Sequence, residues 1–169
     1  MRYLTATAQS YVGVDLHART LFVCVLDSAG TVKLARNMPA KPEPFLNAVA
    51  PYRSDLLVGC ECVHSWYWLA DTCRRENIPF ALGHAFGIKA VHSSKTKSDA
   101  HDAEVIARLL RGGNFPQAYA YPHERRGLRD LLRTPTPTRP PASRTLRPHS
   151  HSSTTTQSRT RRRGRQVQE

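Results

Sequence analysis

The chain has 169 residues, a length for one domain with an appendage, and 25 Lys and Arg against 13 Asp and Glu give it a net charge of +12. That balance, with an isoelectric point of about 10.2, favours a polyanionic partner. No apolar run approaches the roughly 18–20 residues of a membrane span, and MRYLTATAQS lacks the apolar core of a signal peptide, so a membrane protein and a secreted one are excluded from the expectation.

In chain order, YVGVD at 11–15 reads as a short apolar strand, followed through Leu16-His17-Ala18-Arg19 by a second strand, TLFVCVL at 20–26. Asp27-Ser28-Ala29-Gly30 predicts a hairpin turn, and TVKLARN at 31–37 returns as the third strand. Pro42 and Pro44 open a short helix carrying Phe45, Leu46, Val49 and Ala50, which ends near Pro51. LLVGCE at 56–61 is almost wholly apolar, as a central strand buried on both faces should be. Trp66, Leu69, Ala70 and Cys73 recur at helical spacing within 64–76. A fifth strand is expected at 80–84, after Pro79, and an amphipathic helix at 98–111 stops at Gly112-Gly113. A strand meander followed by alternating helices and strands predicts an α/β fold with a mixed sheet flanked by helices.

Four carboxylates stand out against this frame. Asp15 and Glu61 each close an apolar strand, while Asp99 and Asp102 lie three apart at the start of the 98–111 helix and so share a helical face. Clustered hard oxygen ligands from separate elements are what magnesium or manganese requires, and two-metal phosphodiester chemistry needs the scissile phosphate between such elements. Each residue also has an ordinary reading. Asp15 suits a turn or helix cap, and Asp99 and Asp102 suit the positive end of a helix dipole. Glu61 is harder to dismiss, because strand alternation sets it on the face opposite Cys60 and Cys62, where an unpaired carboxylate is costly to bury.

The surrounding residues are less specific. Lys89, His92, Lys95, Thr96, Lys97 and Ser98 precede the acidic pair and suit phosphate contacts or a solvated loop. Arg125 and Arg126 add basic charge to the 116–133 stretch. His17 and His101 sit among the acids, where surface histidine is the simpler reading. Tyr67 or Trp68 offers a stacking surface, whereas Trp66 belongs with the helix core. Cys24, Cys60, Cys62 and Cys73 match no zinc spacing and read as reduced core thiols of a cytoplasmic protein.

Beyond Arg133 the composition changes abruptly. Up to that residue there are 17 Lys and Arg against 12 Asp and Glu; beyond it there are 8 Arg against the single Glu169. The 134–169 stretch is rich in Pro, Ser, Thr and Arg with almost no large apolar residue, so it is expected to be a disordered basic tail. It reads either as a nucleic-acid-binding arm or as the product of a frameshift in GC-rich coding DNA. The break falls inside the helical pattern RRGLRDLLR, which favours the frameshift.

YVGVDLHARTLFVCVLD, the Glu61 strand end, KTKSDAHDAEVIARLLRGG and FPQAYAYPHERRGLRDLLR together resemble the N-terminal RuvC-like domain of the DEDD-motif insertion-sequence transposases, which are RNA-guided bridge recombinases. The likeness covers about 11–133. It implies an RNase H-like catalytic domain at 11–115, preceded by a 1–10 extension and followed at 116–133 by the start of a helical linker. Asp15, Glu61, Asp99 and Asp102 would be the four family acids, holding Mg2+ (or Mn2+) for strand cleavage and exchange. DNA would be the partner, with a structured guide RNA, and a homo-oligomer would suit the joining of two DNAs. Lys89, Lys95, Lys97, Arg125 and Arg126 would face nucleic acid.

Two departures from the family pattern stand out. Ala18 occupies a position where lysine often follows the Asp-x-His, and 134–169 stands where members continue into a second domain bearing a nucleophilic serine. The expectation is therefore a truncated or frameshifted transposase, unable to complete transposition alone. A non-catalytic nucleic-acid-binding remnant and a stand-alone structure-selective nuclease are the alternatives.

Overall fold

The computed structural model describes residues 2–62, 65–91 and 98–133. The fold is built on one seven-stranded sheet in the order β1-β7-β6-β5-β2-β3-β4, from β1 (Arg2–Leu4), β2 (Ser10–Leu16), β3 (Thr20–Asp27), β4 (Val32–Pro39), β5 (Leu56–Glu61), β6 (Phe80–Gly83) and β7 (Phe115–Gln117). The central strands β2, β5 and β6 run parallel, and the meander β2-β3-β4 and the outer pairs β6-β7 and β7-β1 are antiparallel. The α/β architecture with a mixed sheet is therefore as expected. Two strands of the sheet, β1 and β7, went unpredicted, and β1 lies in the stretch expected only as an extension.

Among the described residues five α-helices accompany the sheet: α1 (Pro42–Val49), α2 (Trp66–Arg75), α3 (Ala85–Val91), α4 (Asp99–Arg111) and α5 (His123–Arg133). Of these, α3 was not foreseen. The expectations for residues 92–97 and for the 134–169 tail, its disorder and its origin, lie outside the described residues.

The β3-β4 turn forms as its residues dictate. The Asp27 side chain accepts from the Thr31 amide at 2.8 Å, the Gly30 amide donates to the Asp27 carbonyl at 2.9 Å, and Gly30 takes a φ of 89° open to glycine. The register then shifts by one residue between Val25 and Leu26, the mark of a β-bulge in β4 just beyond the turn.

The sheet separates two cores. On one face Val12, Val14, Val58, Cys60 and Leu82 pack with Phe45 and Val49 of α1 and with Trp66, Leu69 and Cys73 of α2. On the other, Tyr11, Leu57 and Ala81 meet Ile106, Leu109 and Leu110 of α4, Ile88 of α3 and Phe115. Alternation along β2 and β5 thus sends odd-numbered residues toward α4 and even-numbered ones toward α2.

One contact sets the height of α4 above the sheet. A Cβ on Gly13 would run into the carbonyl oxygen of Ala103 and come within 2.6 Å of the Ala107 amide nitrogen. Only glycine lets the helix backbone rest on the strand backbone there, and the first turn of α4 is thereby carried over the carboxyl end of β2.

Candidate metal and phosphodiester site

The carboxyl ends of β2, β5 and β6 lie side by side, since Val14 pairs with Cys60 and Glu61 with Gly83. The positions after Val14 and Cys60 are Asp15 and Glu61. Both are odd-numbered and so share the face covered by α4. Helix α4 packs through Ala103, Ile106, Ala107 and Leu110. Asp99 and Asp102 lie one turn before Ala103 and Ile106, so the packing face itself brings the two acids toward the strand ends. Ser98 starts the helix there, its hydroxyl oxygen accepting from the His101 amide at 3.2 Å.

Asp15 and Asp99 meet through His17. The imidazole Nε2 lies 3.0 Å from Asp15 Oδ2 and 3.4 Å from Asp99 Oδ1. One ligand atom from each of Asp15, His17 and Asp99 falls within 4.8 Å of the others. Asp102 and Glu61 are not in that tight group. Asp102 is close enough for its charge to act on Asp15, while Glu61 flanks Asp15 one strand away.

The electrostatics are those of crowded anions. Burial pushes the Asp15 carboxyl above its usual range; His17 opposes this, and the charges of Asp102 and Asp99 add to it. Its side chain is only 13% exposed. Partial burial works to lower the His17 pKa, but the charge and hydrogen bond of Asp15, followed by those of Asp99, outweigh it and the value is raised. A half-buried carboxylate facing two others on a rim fits a cation: hard oxygens predominate, and a positive charge among them would relieve the repulsion.

His17 is the residue that sequence reading undervalued. A signal was present: it stands two residues after Asp15, on the same side of an extended strand. His101 is half-buried and falls outside the tight group.

The expected nucleic-acid contacts are scattered. Lys89 is exposed on α3, and Lys95 and Lys97 lie outside the described residues. Arg125 is exposed on α5. Arg126, expected to face nucleic acid, is instead buried against α2, on the far side of the sheet from the acids. Its Nη1 and Nη2 donate to Asp71 at 2.7 and 2.9 Å, its Nε donates to the Tyr121 carbonyl at 3.0 Å, and its guanidinium lies 4.5 Å over the Tyr67 ring. With those donors held inside the protein, it clamps α5 to α2. Tyr67 is half-buried and its hydroxyl is engaged within the protein, donating to Asp130 at 2.8 Å and accepting from Arg129 at 2.6 Å.

All four cysteines are free, with Cys24, Cys60 and Cys73 buried. Among the described residues no helix is long and apolar enough to cross a membrane.

A family model for the DEDD transposase of IS110-type insertion sequences matches residues 12–137, a span that takes in Asp15, Glu61, Asp99 and Asp102. No curated protein matches the chain. The matched span covers most of the sequence, and the chain belongs to the IS110-type DEDD transposase family.

Proposed function

We propose that the domain supports divalent-metal-dependent cleavage and exchange of DNA strands during transposition, with Asp15, Glu61, Asp99 and Asp102 as the acids of the site. The observation that carries this reading is the meeting of Asp15 and Asp99 around His17 at the open end of the central strands. Asp15 and Asp99, with Asp102 and Glu61 beside them, would hold Mg2+ or Mn2+. Such an ion supplies activation of an attacking oxygen and stabilisation of a leaving one.

The chain's own residues do the rest. Asp15 sits on a rigid central strand and Asp99 on a helix seated at Gly13, so their separation is set by backbone packing. His17 hydrogen-bonds Asp15 and pairs with Asp99, which holds both carboxylates toward one point. The net charge of +12 favours a DNA partner. A guide RNA and a homo-oligomer belong to the same reading through the family resemblance.

The test is nicking of branched and supercoiled DNA by the purified full chain in Mg2+ or Mn2+. The reading expects ion-dependent nicking that Asp99→Ala and Asp102→Ala abolish without unfolding the protein. Equal DNA binding by wild type and variants with no nicking by either would instead leave a nucleic-acid-binding remnant.

A further inference from the structure

Helix α3 begins immediately after β6, the third strand ending on the rim that carries Asp15 and Glu61. His84 fixes that start, because its Nδ1 accepts from the Gly87 amide at 3.2 Å while its own amide donates to the Pro116 carbonyl at 2.8 Å. Ile88 turns inward to the core beneath α4. The opposite side of the helix presents Phe86, 80% exposed, and Lys89 three residues on, also exposed. The His84 ring lies beside the phenyl ring, with centroids 6.2 Å apart.

A single exposed phenylalanine is ordinary on a protein surface; what singles out Phe86 is its place beside the rim that carries the acids, with Lys89 next to it. Two strand spacings, roughly 10 Å, separate the ends of β2 and β6, so a DNA strand with its phosphate at Asp15 would pass α3 within about two nucleotides. An aromatic face with a cation one helical turn away matches what single-stranded nucleic acid requires: a surface for a base and a charge for the adjoining phosphate. We propose that Phe86 stacks on an unpaired DNA base flanking the cleaved phosphodiester, and that Lys89 contacts the neighbouring phosphate. The placement rests on the cleavage reading above; the stacking platform itself is a separate claim.

The experiment uses the full chain and a DNA duplex with a short unpaired bubble containing 2-aminopurine, compared with the fully paired duplex and with a single-stranded RNA. Phe86→Ala, at an exposed position, should leave the fold intact and weaken bubble binding about tenfold, with loss of the 2-aminopurine quench and little change for duplex. Phe86→Trp should restore binding, and Lys89→Ala should weaken it while flattening its salt dependence. Unchanged bubble binding by Phe86→Ala would overturn the proposal, as would an equal loss for bubble and duplex or a loss confined to RNA. Mn2+ binding is read on the same samples. Its absence in wild type counts against the cleavage reading alone, and its retention beside unchanged bubble binding by Phe86→Ala counts against the platform alone.

Discussion

Gly13 on β2 lies directly beneath Ala103 on α4, with no room for a single methyl group between the two backbones. The acids of the site stand at either end of that contact, Asp15 two residues along the strand and Asp99 one turn before Ala103 on the helix. The packing of a glycine therefore governs the spacing of two carboxylates.

Gly13→Ala should accordingly disturb both stability and site. The obstructing atoms are backbone, so the helix must lift rather than a side chain rotate. We expect a loss of about 1–3 kcal/mol in urea unfolding, together with weaker Mn2+ binding in the fraction that remains folded. A variant that melts and binds like wild type would show that the helix tolerates displacement.

Arg126 and Asp71 should behave as a structural pair. The Arg126 side chain is 10% exposed and bonded through both Nη atoms, so Arg126→Ala leaves Asp71 without its partner and should cost about 3 kcal/mol. DNA affinity of the folded variant should stay near wild type. Arg125→Ala, at an exposed position of the same helix, should leave stability within about 0.5 kcal/mol. Reversal of the two stability effects in denaturant titrations would refute this division of roles.

The buried thiols predict an alkaline weakness. Burial pushes Cys73 from an ordinary 9 up to about 12 and Cys24 up to about 11. A group whose value is raised by folding contributes stability that is full below its unfolded value and lost as pH rises toward its folded one. The stability difference between wild type and Cys73→Ala should therefore hold constant below pH 9 and shrink between 9 and about 12. A difference independent of pH across that range would show that the thiolate forms within the fold at no cost. At neutral pH, a thiol reagent should modify half-buried Cys62 first.

His17 should matter through its neighbours. Replacing it by alanine removes the group that bridges Asp15 and Asp99, so the two carboxylates lose a common partner. We expect ion affinity to fall roughly 10–100-fold, the scale for groups that orient ligands, with His17→Gln recovering part of it by hydrogen bonding. Identical affinities for wild type, His17→Ala and His17→Gln would reduce the histidine to a bystander.

The legibility of the sequence followed the strength of its local signals. The apolar runs of β2, β3 and β5 and the periodicity of α2 and α4 were readable because burial on two faces or one stripe leaves an unmistakable pattern. The same pattern made Asp15 and Glu61 conspicuous as charges ending apolar strands. β1 and β7 have three residues each, too few for periodicity, and their pairing of Tyr3 with Pro116 depends on chain more than a hundred residues away. Helix α3 was hidden by Gly87 and by the exposed Phe86, which break its amphipathic order. Arg126 looked solvated within a basic helix, because nothing local announces that Asp71, 55 residues earlier, receives it.

The most direct test of the site is a calorimetric titration of Mn2+ into the full chain and into Asp15→Asn. Asparagine keeps the shape of the side chain but removes a half-buried charge that faces Asp99 and Asp102. Wild type should bind the ion, and Asp15→Asn should bind it more than about tenfold more weakly while melting no lower than wild type in the absence of metal. Equal affinity in the two proteins, or no binding by wild type, would contradict the assignment of these carboxylates to a metal site.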